Sequence, residues 1–231
     1  MPRPYSNLKK ELAAAADPER ASNSAWFFKT AKGQYGHGDR FIGLTVPTIR
    51  RIAHLYTHLP LTDIAKLLAS PIHEYRFAAL EILVAQYERE KSKAIFDFYL
   101  KHTKFVNNWD LVDTSAPYIV GEHLLTRPRR ILYRLAKSTN LWERRMAIVS
   151  TFAFIKAGEI DDTFAIAELL LKDDHDLIHK AVGWALREAG KQSKPELLRF
   201  LTANYAKLPR TTLRYAIERF PAAERKRLLA G

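Results

Sequence analysis

The sequence contains no cysteine and no long apolar run, and these absences remove several classes of protein. Without cysteine there are no disulfides, no thiolate metal sites and no cysteine nucleophiles, although the absence identifies no compartment. Because no run of about eighteen apolar residues occurs, we expect no membrane-spanning helix. The chain after Met1 also lacks the apolar core of a signal peptide, so we expect a cytoplasmic protein.

Patterns typical of β-strands are scarce as well, and the patterns that remain are helical. Apolar residues recur at helical spacing, as at Phe77, Leu80, Leu83 and Val84, whereas alternating β-branched runs are missing. The predicted helices span 5–16, 21–31, 46–57, 61–69, 73–89, 91–102, 108–124, 128–137, 141–157, 160–171, 175–191, 195–204, 210–219 and 221–229. Because the connections are short and nothing resembles a linker, we predict one all-α domain over residues 1–231.

One position recurs along the chain at a nearly constant interval. The recurring positions are Arg76, Asp110, Arg145, Lys180 and Arg214, separated by 34, 35, 35 and 34 residues. Each precedes a short apolar stretch, and the residue two places later is always small or β-branched. A period in this range with helical patterning is typical of stacked helix pairs, so it predicts a helical-repeat solenoid.

The composition is strongly basic. Lysine and arginine outnumber aspartate and glutamate by 37 to 25, which gives a net charge of +12. This charge favours nucleic acid as a partner over an anionic membrane, because no helix combines a basic face with a broad apolar one. Cations on successive inner helices would line a concave basic groove that accepts a duplex. The alternatives are a generally basic proteome or plain solubility as the reason for the net charge, and salt bridges within the solenoid as the role of the cations.

Two residues depart from the pattern of the repeats. Three places after the recurring position, only the second repeat has a carboxylate, which is Asp113. Four places after it, only the repeat of Lys180 has a tryptophan, which is Trp184. Trp109 and Asp113 are four residues apart on one predicted helix, so they share a face. A carboxylate at a usually apolar position is costly unless it is paired or functional, which makes this repeat the candidate site.

Each of these residues also has a purely structural interpretation. Asp113 would order the helical stack if it bonded to Arg144, Arg145 or a helix N-terminus. Tryptophan is largely buried on average, so Trp109 and Trp184 taken alone are more often core residues than site residues.

The stretch from Lys32 to Arg40 is the one irregular segment of the sequence. Its glycines run GxxGxG, but they follow no predicted strand and open no βαβ unit, which argues against a dinucleotide site. We interpret it as a basic loop at the end of the solenoid, with a contact to a phosphate backbone as one open role.

Four segments carry a resemblance that spans nearly the whole chain. They are Phe41-Ile42-Gly43-Leu44-Thr45-Val46-Pro47, Asn108-Trp109-Asp110-Leu111-Val112-Asp113, Leu141-Trp142-Glu143-Arg144-Arg145-Met146-Ala147-Ile148, and Ile178-His179-Lys180-Ala181-Val182-Gly183-Trp184-Ala185-Leu186-Arg187-Glu188. In these segments and in their order, the sequence resembles the AlkD-like DNA alkylation repair glycosylases. The resemblance implies an all-α HEAT-like solenoid with a concave basic groove.

The resemblance also implies an activity and a set of site residues. The activity is hydrolysis of the N-glycosidic bond of N3- or N7-alkylated purines in duplex DNA, without base flipping. The family's active-site tryptophan and acid fall on Trp109 and Asp113, its arginine on Arg145 and its second tryptophan on Trp184. Because an alkylated purine is cationic and already a good leaving group, Asp113 need only stabilise an oxocarbenium-like sugar and position water. The indoles would face the cationic sugar, and Arg145 would hold a phosphate.

No metal or cofactor is expected. The histidine pairs His54/His58 and His175/His179 lack a third ligand, and we interpret them as surface or capping residues. No lysine is singled out as a Schiff-base nucleophile, so we expect a monofunctional glycosylase, with a monomer as the default state.

The expected DNA contacts combine the resemblance with the basic groove. They are Arg145, Arg144, Lys180, Arg187, Arg76, Arg214 and Phe27. Phe27 stands where the family usually has tyrosine, and Phe28 is the other candidate for that position. Two rival functions stay open: a nucleic-acid-binding module without catalysis, and a protein-interaction scaffold.

Overall fold

The computed structural model describes residues 3–230, and within that range every regular element is a helix. The only strand-like pairing there is an isolated bridge between Arg40 and Ile72. The all-α helical-repeat prediction is therefore confirmed. None of the described helices has both the length and the apolar character to cross a membrane.

The chain forms two compact units, one through Ile119 and one from Val120 onward. The single domain over residues 1–231 stays a prediction, and so does the concave groove. Each unit is built around one long helix against which its neighbours pack.

The first unit is organised around α5. Its helices are α1 (Tyr5–Ala14), α2 (Pro18–Phe27), α3 (Val46–Ala53), α4 (Leu61–Leu68), α5 (His73–Glu90), α6 (Lys93–Lys101) and α7 (Trp109–Asp113), with 3₁₀ turns at His54–Tyr56 and Thr103–Phe105. Helix α5 packs against α3, α4, α6 and α7. Because α5 has neighbours on several sides, most of its side chains are buried, including several polar ones.

The second unit is organised around α13. A π-helical turn, Pro117–Gly121, precedes α8 (Glu122–Leu124), α9 (Arg130–Leu135), α10 (Leu141–Ser150), α11 (Phe152–Lys156), α12 (Asp161–Leu170), α13 (Asp176–Gln192), α14 (Lys194–Asn204), a 3₁₀ turn (Tyr205–Lys207), α15 (Arg210–Ala216) and α16 (Ala222–Ala230). Helix α13 packs against α10, α11, α12, α14 and α15.

The recurring positions of the sequence fall at equivalent places in the structure. Each lies within the first five residues of its helix, in α5, α7, α10, α13 and α15. The small or β-branched residue two places later is buried in all five cases, with exposed fractions of 0–1% at Ala78, Val112, Ala147, Val182 and Ala216. The period therefore records close helix packing, since a small side chain lets neighbouring helices approach.

Two predicted helices are interrupted. The prediction over 108–124 is divided into α7, the π-helical turn and α8, because Pro117 has no N–H to donate to the helical ladder. The prediction over 141–157 is divided into α10 and α11 at Thr151. The hydroxyl of Thr151 donates to the carbonyl of Ile148 at 2.7 Å, a local bond that competes with the helix.

The first turn of α5 holds the segment that precedes α3. The carboxylate of Glu74, which is 2% exposed, accepts backbone N–H bonds from Gly43 at 2.8 Å, Ile42 at 3.0 Å and Leu44 at 3.3 Å. Hydrogen bonds to a charged group are stronger than neutral ones, so these amides offset the cost of burying the charge.

We expect the substitution Gly43→Ala to destabilise the first unit strongly. Gly43 has φ +82°, and an added Cβ would lie 2.0 Å from the carbonyl oxygen of Asp17. The matched control is Gly33→Ala, because Gly33 has φ +83° with open space around it. The control should lose about 1–2 kcal/mol from the left-handed backbone alone, and Gly43→Ala more than about 3 kcal/mol. Denaturant unfolding of both variants measures the difference, and equal losses would contradict the close contact.

Candidate active site and nucleic-acid interface

The short helix α7 presents Trp109 and Asp113 together. Asn108, which is fully buried, accepts a hydrogen bond from the backbone N–H of Trp109 at 2.8 Å and so begins the helix. Leu111 and Val112 are buried in the core, whereas Trp109 and Asp113 are partly exposed. With a separation of four residues, the indole and the carboxylate lie on the same side of α7.

A buried ion cluster fixes the beginning of α7. His73, in the first turn of α5, has Nδ1 3.1 Å from Oδ2 of Asp39 and Nε2 2.7 Å from Oδ2 of Asp110. Arg76 completes the cluster, with Nη2 2.7 Å from Oδ1 of Asp39. Asn108 also donates to Asp39 at 3.3 Å. Two cations and two carboxylates therefore compensate one another where only Asp110 is partly exposed, as buried charges require.

The cluster holds His73 in its charged form. Burial alone would lower the pKa of His73, but the charge of Asp110 and the hydrogen bonds to Asp110 and Asp39 outweigh it and raise the pKa to about 9. The pKa of Asp39 is lowered, because the hydrogen bonds from His73 and Arg76 outweigh the effect of burial. Each imidazole nitrogen consequently donates to a carboxylate at neutral pH.

Aromatic rings cover Trp109 on the side of α2. Phe28 stacks on Trp109 with ring centroids 5.3 Å apart, and Phe41 stacks on Phe28 at 5.0 Å. Phe27 meets the edge of Trp109 at 6.1 Å and is 57% exposed. Phe28 is thus the ring that stacks on the indole, while Phe27, the expected DNA contact, is the ring that faces outward.

The surroundings of Asp113 include a buried tyrosine. The hydroxyl of Tyr99 bonds to Ser115 at 2.9 Å, and Tyr99 is 1% exposed. Burial raises the pKa of Tyr99, the bond to Ser115 opposes the shift, and the negative charge of Asp113 adds to it. Tyr99 therefore stays protonated beside Asp113.

A polar chain lies at the C-terminal end of α7. Thr114 donates to Glu81 at 2.7 Å, and Arg50 donates to the same carboxylate oxygen at 3.0 Å. The side chain of Arg50 is 53% exposed, so this cation lies at the surface close to the candidate site. Arg50 was not among the predicted site residues, although it lies only three residues after Pro47, where a resembling segment ends.

Arg145 and Trp184 belong to the second unit. Arg145 is 5% exposed, and its Nη1 donates to the carbonyl of Leu177 at the start of α13 at 2.7 Å. Trp184 is partly exposed and packs on Phe152 with ring centroids 4.4 Å apart. Both side chains are held within their unit, and their assembly with Trp109 and Asp113 into one site stays a prediction.

Most of the other expected DNA contacts are cations engaged in ion pairs. Arg144 donates to Asp173 at 2.5 Å, Lys180 lies 2.7 Å from Asp176, and Arg187 pairs with Glu218. Arg76, at 5% exposure, belongs to the buried cluster around His73. The salt-bridge alternative describes these contacts. The DNA contact expected for Arg76 stays a prediction, and the Arg76 guanidinium already pairs with Asp39.

Arg214 differs from these residues because it is exposed. It lines a cavity of about 800 Å³ together with Arg225 and Lys226, while Glu218 lies on the same wall. A cavity with three cations is suited to a phosphate, so Arg214 keeps its proposed role.

The histidine pairs act within the fold. His175 accepts a hydrogen bond from the backbone N–H of Leu177 at 3.1 Å and so caps α13, and His58 contacts the carbonyl of Arg3 at 2.8 Å. Among residues 3–230, no group of three His, Cys, Asp or Glu is arranged to hold a metal ion.

Comparison with known families decides the assignment. The profile of a family described as DNA alkylation repair enzyme matches residues 8–220, which is most of the chain. The chain belongs to this DNA alkylation repair enzyme family. Membership confirms the family resemblance of the sequence and supports an enzymatic role in DNA repair.

A solved structure supports the fold of this family member. It is described as a predicted DNA alkylation repair enzyme from Enterococcus faecalis, and it matches with a TM-score of 0.73 and 17% sequence identity. The match covers 90% of this chain and 97% of the other. At this identity the likeness establishes a shared fold. No protein of curated function matches the sequence significantly.

We expect His73→Gln to remove a stabilising contribution that depends on pH. A histidine whose folded pKa lies near 9 and whose unfolded pKa is about 6.5 stabilises fully below pH 6.5 and loses that contribution as pH rises through 9. The contribution amounts to about 3 kcal/mol, at roughly 1.4 kcal/mol for each pKa unit. The stability difference between wild type and variant should therefore be largest near pH 6 and shrink toward pH 9.

Denaturant unfolding across this pH range measures the effect. His54→Gln is the matched control, because His54 is exposed and should leave the profile unchanged. A difference between wild type and His73→Gln that stays constant with pH would show that folding does not raise the pKa of His73.

Proposed function

We propose that the protein hydrolyses the N-glycosidic bond of N3- or N7-alkylated purines in duplex DNA. The observation that carries the proposal is the pairing of a partly exposed indole and a partly exposed carboxylate on α7, held in place by the cluster around His73. Family membership supports DNA as the substrate. We further propose that the protein works as a monomer without a metal or cofactor.

The leaving group needs little activation by the protein. Alkylation at N3 or N7 gives the purine a positive charge, so the base departs with the electrons of the C1′–N9 bond and becomes neutral. The sugar left behind resembles an oxocarbenium ion. Its positive charge is the feature that a catalytic site must stabilise.

Asp113 is the group proposed to act on that sugar. Its negative charge stabilises the developing positive charge at C1′, and its oxygen orients a water molecule toward the same carbon. The water oxygen forms the new bond to C1′, and the released proton passes to Asp113 and then to solvent. The partly exposed position of Asp113 agrees with this role, since water must reach it.

The aromatic residues are proposed to hold the damaged nucleotide. Trp109 presents a π face to the cationic sugar or base, and such contacts strengthen where water is excluded. The stack of Phe28 and Phe41 behind Trp109 limits the orientations of the indole. Trp184 is proposed as a second aromatic surface for the same nucleotide.

Arg145 is proposed to bind a phosphate next to the lesion. It is nearly buried, and an ionic hydrogen bond is stronger in such surroundings than in water. Arg144, Lys180, Arg187 and Arg214 remain proposed contacts on a basic groove. Three of these cations would exchange an existing carboxylate partner for a phosphate, so each contributes less than an unpaired cation.

We expect Asp113→Asn to bind DNA and to lose most base release. The substitution keeps the shape of the side chain and removes the charge, so the rate should fall by about 100-fold or more. The measurement is release of free 7-methylguanine from duplex DNA under single-turnover conditions. Asp97→Asn is the matched control, because Asp97 is an exposed carboxylate on α6 paired with Lys93, and it should release base at the wild-type rate.

The rival functions predict other results in the same assay. Binding of DNA that weakens with salt, without any release of base by the wild type, would identify a non-catalytic binding module. Absence of both binding and release would favour a protein-interaction scaffold. Full activity of Asp113→Asn would remove the role proposed for this carboxylate while leaving the glycosylase activity in place.

A further inference from the structure

Trp26 is the most exposed large apolar side chain in the described part of the chain. It is 83% exposed, and its neighbour Phe27 is 57% exposed. Both end α2, and nothing in the chemistry proposed for Trp109 and Asp113 uses Trp26. Tryptophan is usually well buried, so an indole almost wholly in water marks a surface that binds a partner.

The segment after Trp26 is folded tightly onto the end of α2. Lys29 adopts a left-handed φ of 53°, and Thr30 bonds back to the carbonyl of Ala25 through both its N–H and its hydroxyl. The N–H of Gly36 donates to the carbonyl of Lys29 at 3.1 Å. A Cβ at Gly36 would lie 2.3 Å from the carbonyl oxygen of Phe28, so glycine is required there. These contacts keep Lys29 beside Trp26.

The segment from residue 20 to residue 60 carries exposed charge of one sign, and the nearest carboxylate on α2 is Glu19 in its first turn. Residues 20–60 contain six lysines and arginines and a single acidic residue, Asp39, which is buried in the cluster with His73. In the part of the chain that the structure describes, Lys29, Lys32 and Arg40 are exposed and make no ion pair. The surface therefore attracts anions with its full charge, in contrast to the paired cations of the second unit.

The exposed rings also border a depression of suitable size. It has a volume of about 560 Å³ and is lined by Trp26, Phe27, Lys29 and Gln34, among others. Pockets that hold small organic ligands fall within roughly 300–1,000 Å³. The lining offers π faces, one cation and one amide, which together match the base, the phosphate and the polar edge of a nucleotide.

A second copy of the chain fits this surface poorly. Each copy carries a net charge of +12, and residues 26–40 have no exposed carboxylate to pair with the cations of a partner. Like charges brought together in this way disfavour association. Aromatic rings with unpaired lysines are instead typical of surfaces that bind unstacked nucleotides, because every base has a π face and every nucleotide a phosphate.

We propose that Trp26 and the loop from Lys29 to Arg40 bind an unpaired nucleotide of DNA. The base stacks on the indole of Trp26, and the adjoining phosphates contact Lys29 and Lys32. Phe27 follows Trp26 in the sequence, and its ring contacts that of Trp109. The nucleotide bound here therefore lies next to the site on α7. The inference rests on the proposed function only for the choice of DNA as the partner.

The test compares two duplexes of one sequence, identical except for a single bulged thymidine in one of them. Wild type should bind the bulged duplex more tightly, and its tryptophan fluorescence should be quenched on binding. Trp26→Ala should lose about 5- to 100-fold in affinity for the bulged duplex, as removal of one base–aromatic stack does. Trp26→Phe should lose less, because a smaller π face remains.

Two further variants make the test specific. Leu169→Ala removes another exposed apolar side chain, 43% exposed on α12, and should keep the preference for the bulge. Lys29→Ala should weaken binding of both duplexes and reduce the slope of log affinity against log salt by about one. All variants should share the thermal midpoint of wild type, since the changed side chains are exposed.

The outcomes separate this inference from the proposed glycosylase activity. If wild type shows no preference for the bulge, or Trp26→Ala keeps it, the inference is wrong even when 7-methylguanine is released normally. If Trp26→Ala changes the oligomeric state instead of DNA affinity, the surface is an interface between copies and the inference is again wrong. If the preference depends on Trp26 but no base is released, the binding site stands and the glycosylase proposal falls.

Discussion

The structure of the first unit depends on a charged imidazole held between two carboxylates. His73 links Asp39, at the end of the basic loop, to Asp110, at the start of α7, and Arg76 balances the remaining charge. The same turn of α5 carries Glu74, whose carboxylate holds the segment before α3. Charge compensation at one helix terminus thus positions the loop, α3 and the helix that carries the candidate site. Because buried charges tolerate little displacement, we expect the cluster to restrain the start of α7.

The fold was predictable from the sequence because close packing between repeats requires a small residue at a regular interval. A small residue is needed wherever neighbouring helices approach closely, so Ala78, Ala147 and Ala216 recur at the same place in their helices. The start of α14 was readable for a similar reason: Ser193 accepts the backbone bond of the turn that it begins, and a proline follows within two residues. The start of α2 was predicted three residues too late, at residue 21, although Asp17 and Pro18 form the same kind of cap. The two interrupted helices were not readable from periodicity, since both halves keep the helical apolar pattern.

The candidate site was only partly readable, because its contacts join residues far apart in the chain. Position and residue type singled out Trp109 and Asp113, but no local pattern shows that His73 pairs with a residue 37 positions later. For the same reason, the sequence did not show which cations are paired with carboxylates. Arg144 and Arg187 have carboxylate partners 29 and 31 residues away, so the sequence showed their charge but not its compensation. Trp26 was passed over because an exposed and a buried tryptophan look alike in a sequence.

The cluster around His73 also constrains how this repeat array changes in evolution. Repeat proteins commonly gain or lose whole repeats, because each repeat contacts only its neighbours through similar apolar surfaces. Here the repeats that begin at α5 and α7 are joined by a specific pair of charges rather than by an interchangeable apolar contact. A repeat inserted between them would separate the imidazole from Asp110 and leave a buried charge without its partner. Length variation among descendants of this chain is therefore expected at other junctions, such as that of Arg187 and Glu218, whose ion pair is partly exposed.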